Sequence, residues 1–422
     1  MNYPDSVQFL YSLGNEIKTA KLGLDRIAAV LAALGDPQRG LRFAHVAGTN
    51  GKGSVCAMVE AGLRAAGNRT GLFTSPHLIE PVERIRINGE PVAADEFATA
   101  FDRVHEAAEH LIERGTIDLH PTYFETVTAM ALALFAQKRC DRVVLEVGLG
   151  GRLDATNVVT PEICAITPID FDHEAWLGKS LEAIAGEKAG ILKPGVPAII
   201  AQQHKEADAT LSARARDVGA PVVHTSEWLI RDVNLTPAGS TFTMSRGSTE
   251  LRIACPLAGE HQVENARTAA AVLARLGIPA ATIEAGVARA RWPGRLEHLA
   301  TRPEIILDGA HNPAGARSLR AYIERFYSGR NVWMIYGAMR DKAVAEMTGI
   351  LFPAAAQIVA TAPHQARAVR PEAIADLAEH GRIRIAPNLS EALALVRREA
   401  SPDDAIFITG SLFLIGEAKS LI

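Results

Sequence analysis

The chain has 422 residues, more than one ordinary hydrophobic core accommodates, so two domains are expected. Hydrophobic residues make up 48% and charged residues 22%, the balance of a soluble globular protein. A net charge of −4 gives no electrostatic ground for binding nucleic acid or an anionic membrane. Cys56, Cys140, Cys164 and Cys255 are far apart in sequence, which suggests neither a zinc site nor a disulfide framework. Reduced, mostly buried thiols in a cytoplasmic protein are expected. The N-terminal MNYPDSVQFL lacks a basic region followed by an apolar run, so no signal peptide is read there. No apolar stretch reaches the roughly 18 residues that a membrane helix requires.

Residues from about 5 to 35 read as helical, with apolar spacing through Leu24 to Leu31. A short apolar run, Phe43 to Val46, leads into the glycine loop Gly48-Thr49-Asn50-Gly51-Lys52-Gly53-Ser54, and helical periodicity resumes from Val55 to Ala66. Strand, glycine loop and helix form the setting of a phosphate-binding loop. Its glycines let several backbone N–H groups face one anion, and the following helix adds its dipole. The loop departs from G-x-x-x-x-G-K-[ST]: Val46 stands where the first glycine belongs, and the hydroxyl arrives one residue late, at Ser54. Lys52 would neutralise phosphates, and Ser54 or Thr49 would ligate magnesium. An ordinary glycine turn is the plainer alternative.

Strands are next expected at Thr70–Phe73, Arg142–Val147 and Ile163–Ile166, separated by helical segments. Ser75 follows the first; as a hydroxyl it is a ligand for a hard cation or simply a polar turn residue before Pro76. Glu146 lies near the end of the second, where a buried carboxylate needs a metal or a cationic partner such as Arg152 or Lys52. His173 follows the third, as a metal ligand, a proton carrier or a structural histidine. Lys188 reads locally as a solvated lysine at a helix C-terminus. From about 226 to 254, Gly/Ser turns and short alternating runs predict a small antiparallel insert. A second strand–helix series at Ile305–Leu307, Val332–Tyr336, Ile358–Ala360 and Ala405–Ile408 predicts a smaller Rossmann-like domain. The join lies near Leu296 to Arg302, giving domains 1–297 and 298–422. Arg295 at that join suits phosphates or an interdomain pair. Asp308 suits a ribose hydroxyl or a cap.

In order along nearly the whole chain stand KLGLDRI, HVAGTNGKGS, TSPHL, ERIRING, PTYFETVTAMAL, LEVGLGGRLDATN, DHEAWLGKSLEAIAGEKAGILK, HQVENARTA, WPGRLE, LDGAHNP, YGAMRDK and GSLFLIGE. Together these segments resemble the folylpolyglutamate synthase family of the Mur ligase superfamily, in its bacterial bifunctional dihydrofolate synthase form. The resemblance implies an α/β fold: a P-loop-type, mostly parallel sheet domain with the antiparallel insert, and the Rossmann-like C-terminal domain. It implies ATP held by Gly51, Lys52, Gly53 and Ser54, with Asn265, Arg295 and Asp308 contacting it from the hinge and second domain. It implies two magnesium ions at Ser54, Ser75, Glu146 and His173, a monovalent cation being a further candidate, and a carbamylated Lys188. Leu22, Gly23, Leu24, Arg84, Thr122, Tyr123, Phe124, Glu125, Leu153, Asp154 and Ala155 would line the pterin side. His311 and Ser411 would sit near the incoming glutamate.

The reaction implied is ATP-dependent amide formation through an acyl phosphate, with catalytic roles for Lys52, His173 and Lys188. Its substrates would be dihydropteroate, folates and L-glutamate, taken up by a monomer without nucleic-acid or membrane partners. Three other readings stay open: a synthase that only extends folates, a Mur-type amino-acid ligase, and an ATP-binding regulatory protein. Against the Mur type stand TYFE, ERIRING and a glycine loop that begins at about residue 48, too early for a separate uridine-binding domain.

Overall fold

The computed structural model describes residues 1–13, 23–377 and 381–422. Its largest sheet is built, in chain order, from β1 (Phe43–Ala47), β2 (Thr70–Phe73), β3 (Ile85–Ile87), β4 (Glu90–Pro91), β5 (Arg142–Glu146), β6 (Ile163–Ile166), β7 (Ala198–Ile200) and β8 (Val222–His224). Their spatial order is β4-β3-β2-β5-β1-β6-β7-β8. The run from β2 to β8 is parallel, and β3 and β4 add an antiparallel edge. Every residue of β1, β2 and β6 is buried, as expected of strands covered on both faces. The chain runs from β1 out to β2, returns to β5, and reaches β6 only by crossing to the other side of β1. The carboxyl ends of β5, β1 and β6 therefore flank a topological switch point, the usual place for a ligand in an open α/β sheet.

Two apolar layers cover this sheet. On one side the helix Lys52–Ala65 packs with His261–Arg275 and Ala280–Val287 through Met58, Leu63, Val272 and Ile283. On the other, Tyr3–Ser12, Asp25–Ala33, Ala94–Glu113 and Tyr123–Gln137 supply Leu10, Leu31, Phe101 and Phe135. Of the helical stretch expected near the N-terminus, Tyr3–Ser12 and Asp25–Ala33 are helices, and residues 14–22 lie outside the described residues. A three-stranded antiparallel sheet follows: β9 (Leu229–Thr236), β10 (Gly239–Arg246) and β11 (Thr249–Cys255). In β11 the inward residues Leu251, Ile253 and Cys255 alternate with exposed ones, so one face joins the first core.

The remaining sheet comprises β12 (Glu297–Thr301), β13 (Glu304–Leu307), β14 (Val332–Tyr336), β15 (Gln357–Ala360), β16 (Ile383–Ile385) and β17 (Ala405–Thr409). Its order is β12-β13-β17-β14-β15-β16, parallel except for β12. All four cysteines are buried and free. Among the described residues no helix is long and apolar enough to cross a membrane.

One contact in the first layer leaves no slack. A Cβ on Gly286 would lie 2.5 Å from the Cα of Gly62, so the helices Ala280–Val287 and Lys52–Ala65 touch backbone to backbone. Gly286→Ala should therefore destabilise the protein by about 1–3 kcal/mol, read as a lower midpoint of chemical denaturation. An unchanged midpoint would show that these helices separate at little cost.

Candidate active site

The loop after β1 turns sharply at Gly48 (φ +144°) and Gly51 (φ +88°) before the helix begins at Lys52. A Cβ at Gly48 would fall 1.9 Å from Thr167 Oγ1, and one at Gly51 would fall 2.2 Å from Asn265 Oδ1. A Cβ at Gly53 would fall 2.6 Å from the Trp292 ring. Without side chains at these three positions the loop nests among its neighbours; the Thr49 and Asn50 N–H groups donate to the Pro168 carbonyl (3.0 and 3.2 Å), and those from Gly51 to Ser54 lie at the helix N-terminus. Asn265 Nδ2 donates to Gln262 Oε1 (3.0 Å), and Gln262 Nε2 donates to Ser54 Oγ (3.2 Å). The helix His261–Arg275 thus holds the loop's hydroxyl through two amides.

Lys52 Nζ donates to the carbonyls of Gly48 (3.2 Å) and Thr49 (3.1 Å), and Lys188 Nζ donates to that of Gly48 (2.8 Å). Lys188 ends the helix Leu181–Lys188 but is buried, not solvated as its local sequence suggests. Burial, then the charge of Lys52, lowers its amine to about 7. A large fraction is then the neutral, nucleophilic base near pH 7.

Glu146 ends β5 and is buried. Its Oε2 accepts the Ser75 N–H (3.0 Å), and among the described residues no ion pair reaches it. Arg152 instead pairs with Glu187 (2.9 Å). Burial raises the Glu146 carboxyl, opposed by the charge of Lys52. His173 lies beyond β6 with a positive φ of 53°. Burial lowers it to about 4, leaving a neutral ring with a lone pair to offer. An uncompensated buried carboxylate, two serine hydroxyls and a neutral imidazole suit a hard divalent cation.

The second sheet faces this set. Asp308 accepts the N–H groups of Leu296 (3.1 Å) and Ala310 (3.0 Å), fastening the turn that carries Arg295. His311 Nδ1–H donates to the Gly309 carbonyl (2.7 Å), and burial lowers this ring to about 4. Residues from both sheets, Lys52, Glu146, His173, Lys188, Asn265, Arg295, Asp308 and His311 among them, line one cleft of about 550 Å³. Ser411 differs: it is a buried cap of the last helix, accepting from Phe413 N (3.2 Å), and Leu412 lines the cleft in its place.

The expected pterin-side residues divide. Arg84 lies over the Tyr123 ring (5.0 Å), Tyr123 stacks on Tyr11 (5.8 Å), and Arg84 Nε donates to His77 Nδ1 (2.9 Å). Thr122 and Glu125 form the capping box of the helix Tyr123–Gln137, and Glu125 also meets Arg26 (3.3 Å). The Phe124 ring closes on Gly148. Asp154, whose neighbours are Leu153 and buried Ala155, accepts from the N–H groups of Gly148 (3.0 Å), Leu149 (2.9 Å) and Thr156 (3.0 Å), ordering the loop after β5. Gly23 and Leu24 precede the helix Asp25–Ala33, and Leu22 lies outside the described residues.

Sequence reasoning missed the residues that join the two sheets. Lys342 pairs with Asp172 (2.8 Å), Asn312 Nδ2 donates to Asn50 Oδ1 (2.9 Å), and Arg317 pairs with Asp170 (3.1 Å). All three pairs lie far apart in the chain, and only the YGAMRDK and LDGAHNP segments hinted at the first two.

Residues 46–273 match the Mur ligase middle domain, and residues 294–412 match the Mur ligase, glutamate ligase domain. The chain is 35% identical to a probable bifunctional folylpolyglutamate synthase/dihydropteroate synthase of Haloferax volcanii, covering 100% of this chain and 50% of that one. It thus spans about half the length of this haloarchaeal relative. It is also 35% identical to the dihydrofolate synthase/folylpolyglutamate synthase of Mycobacterium tuberculosis, over 94% of this chain and 89% of that one. The structure of Escherichia coli FolC in complex with DHPP and ADP superposes with a TM-score of 0.89 at 31% identity, covering 100% of this chain and 97% of that one.

Glu146→Gln would keep the Ser75 bond through its amide oxygen and remove the buried charge. A carboxyl raised by folding contributes stability below its unfolded pKa and loses it as pH rises through the folded value. The variant should therefore gain stability over wild type as pH rises from acid towards neutral, followed by thermal denaturation. A difference flat in pH would mean that Glu146 carries no buried charge.

Proposed function

The chain belongs to the Mur ligase family and, within it, to the folylpolyglutamate synthases; from this we propose that it is an ATP-dependent ligase that joins L-glutamate to 7,8-dihydropteroate and to folates. The observation that carries the reading is the convergence of the glycine loop, Lys52, Glu146, His173 and buried Lys188 in one cleft, facing Arg295 and Asp308. We divide the chain functionally at 297/298, into an ATPase domain with the pterin site and a glutamate-ligase domain. A monomer in the cytoplasm fits an enzyme of small soluble substrates.

In this mechanism the N–H groups from Gly51 to Ser54 and Lys52 hold the phosphates of ATP, and Asn265, Arg295 and Asp308 hold the rest of the nucleotide. The substrate carboxylate attacks the γ-phosphorus, releasing ADP and leaving an acyl phosphate. The amino group of glutamate then attacks the carbonyl, and phosphate departs. Magnesium ions, held by Ser54, Ser75, Glu146 and His173, would supply charge neutralisation at the phosphoryl oxygens. Lys188, as its neutral amine, would add to carbon dioxide and lose one proton to solvent, becoming an anionic carbamate among these donors. The Arg84–Tyr123–Tyr11 stack offers flat, cationic and aromatic surface for a pterin ring. His311 lies on the second-sheet side, where the glutamate would enter. The Asp172–Lys342 and Asn312–Asn50 contacts keep the two halves close enough to enclose the acyl phosphate from water.

Phosphate release should require ATP, magnesium and L-glutamate, and should proceed with dihydropteroate and with a reduced folate monoglutamate. Turnover with only one would reduce the enzyme to a single synthase. Folded protein that binds ATP yet turns over neither would overturn the ligase reading. With isotopically labelled bicarbonate, wild type should show a carbamate carbon resonance that Lys188→Arg lacks, and the variant's turnover should fall by at least about a hundredfold.

A further inference from the structure

Away from the cleft, three ligating side chains converge on the far end of the helix Ala94–Glu113. His105 Nδ1 lies 3.1 Å from His120 Nε2 and 4.0 Å from Glu109 Oε1. One ligand atom from each lies within 4.8 Å of the others. His105 and Glu109 are one helical turn apart and share a face. His120 arrives from the loop that leads to Pro121 and the capping box of the next helix.

Two details distinguish this group from a chance hydrogen-bonded pair. His120 Nδ1 contacts the Pro121 carbonyl at 2.9 Å and must donate to it, so its Nε2 carries the lone pair that points at His105. Orientation of an imidazole by a backbone carbonyl at its other nitrogen is the usual support of a metal-ligating histidine. The Phe9 ring lies 4.7 Å from the His105 ring and 5.4 Å from that of His120, forming an apolar wall on one side. Glu109 is half exposed and leaves the other side open to water.

We propose that His105, Glu109 and His120 bind one divalent transition-metal ion of the zinc class, with water completing the shell. Two nitrogens bound to tetrahedral zinc lie about 3.3 Å apart, close to the separation observed here. The carboxylate closes in by a rotation of exposed Glu109. The proton of His105 Nδ1 moves to its Nε2, so both histidines ligate as neutral rings. Two imidazoles select zinc or cobalt over magnesium. The ion would clip the loop before Thr122 onto the helix Ala94–Glu113, bracing the TYFE turn without entering the ATP cleft.

The test is a titration of the tag-free, chelator-stripped full chain with Co2+ in millimolar Mg2+, followed by visible absorption and reversed by Zn2+. Wild type should bind one more equivalent than His120→Gln, and Glu109→Gln should bind that equivalent at least about tenfold more weakly. His120→Cys should add a thiolate-to-cobalt charge-transfer band. Equal stoichiometry and equal spectra in wild type and His120→Gln would overturn the proposal. Should His120→Gln fail to fold, undiminished binding by Glu109→Gln, changed at an exposed position, would overturn it equally.

Discussion

Everything in the cleft depends on a loop that has no room for a side chain at three of its positions. Gly48, Gly51 and Gly53 approach Thr167, Asn265 and Trp292 so closely that a Cβ at any of them would overlap a neighbour. Thr167 follows β6, Asn265 belongs to the helix His261–Arg275, and Trp292 precedes the second sheet. The missing Cβ atoms therefore let three distant segments close on one turn. The Thr49 and Asn50 N–H groups are taken up by the Pro168 carbonyl, and those from Gly51 to Ser54 lie at the helix N-terminus, where an anion is stabilised. A larger residue would have to push apart the groups that give the cradle its shape.

Around that loop the charges are arranged to be incomplete. Lys52 and Lys188 both direct their amines at the Gly48 carbonyl, yet neither forms an ion pair among the described residues. Glu146 is buried with one backbone N–H for company. Such groups are costly to bury unless something else completes them. Elsewhere the acids are satisfied. Asp154, Asp308 and Glu125 each accept backbone N–H groups and set the geometry of a turn or a helix start. Each such bond contributes about 1 kcal/mol, but its larger effect is to keep neighbouring side chains in place.

The two large sheets meet through polar contacts, with Leu78 packed against the apolar core of the second sheet as well. Asp172 with Lys342, Asn50 with Asn312 and Asp170 with Arg317 span the seam. A polar seam can open and close at modest cost, because water replaces the contacts that are lost. Substrates that bridge both halves fit such a joint.

The sequence by itself established the two-part α/β layout, the glycine loop in its strand–loop–helix setting, the antiparallel insert and the family. These features are local: hydrophobic period, turn chemistry and ordered motifs are written in neighbouring residues. The strands β3, β4, β7, β8 and β16 escaped because two or three residues carry too little period to stand out, and β12 because it has no buried apolar run. Lys188 read as a solvated helix end because nothing adjacent announces its burial; its depressed amine comes first from that burial and then from the charge of Lys52, far away in the chain. The resemblance put Ser411 near the incoming glutamate; its hydroxyl caps the last helix, and Leu412 beside it lines the cleft. The pairing of Asp172 with Lys342, and of His105 with His120, was decided only by tertiary structure. Burial, ion pairing and ligand geometry are properties of space, and the chain order does not contain them until the sheets have closed.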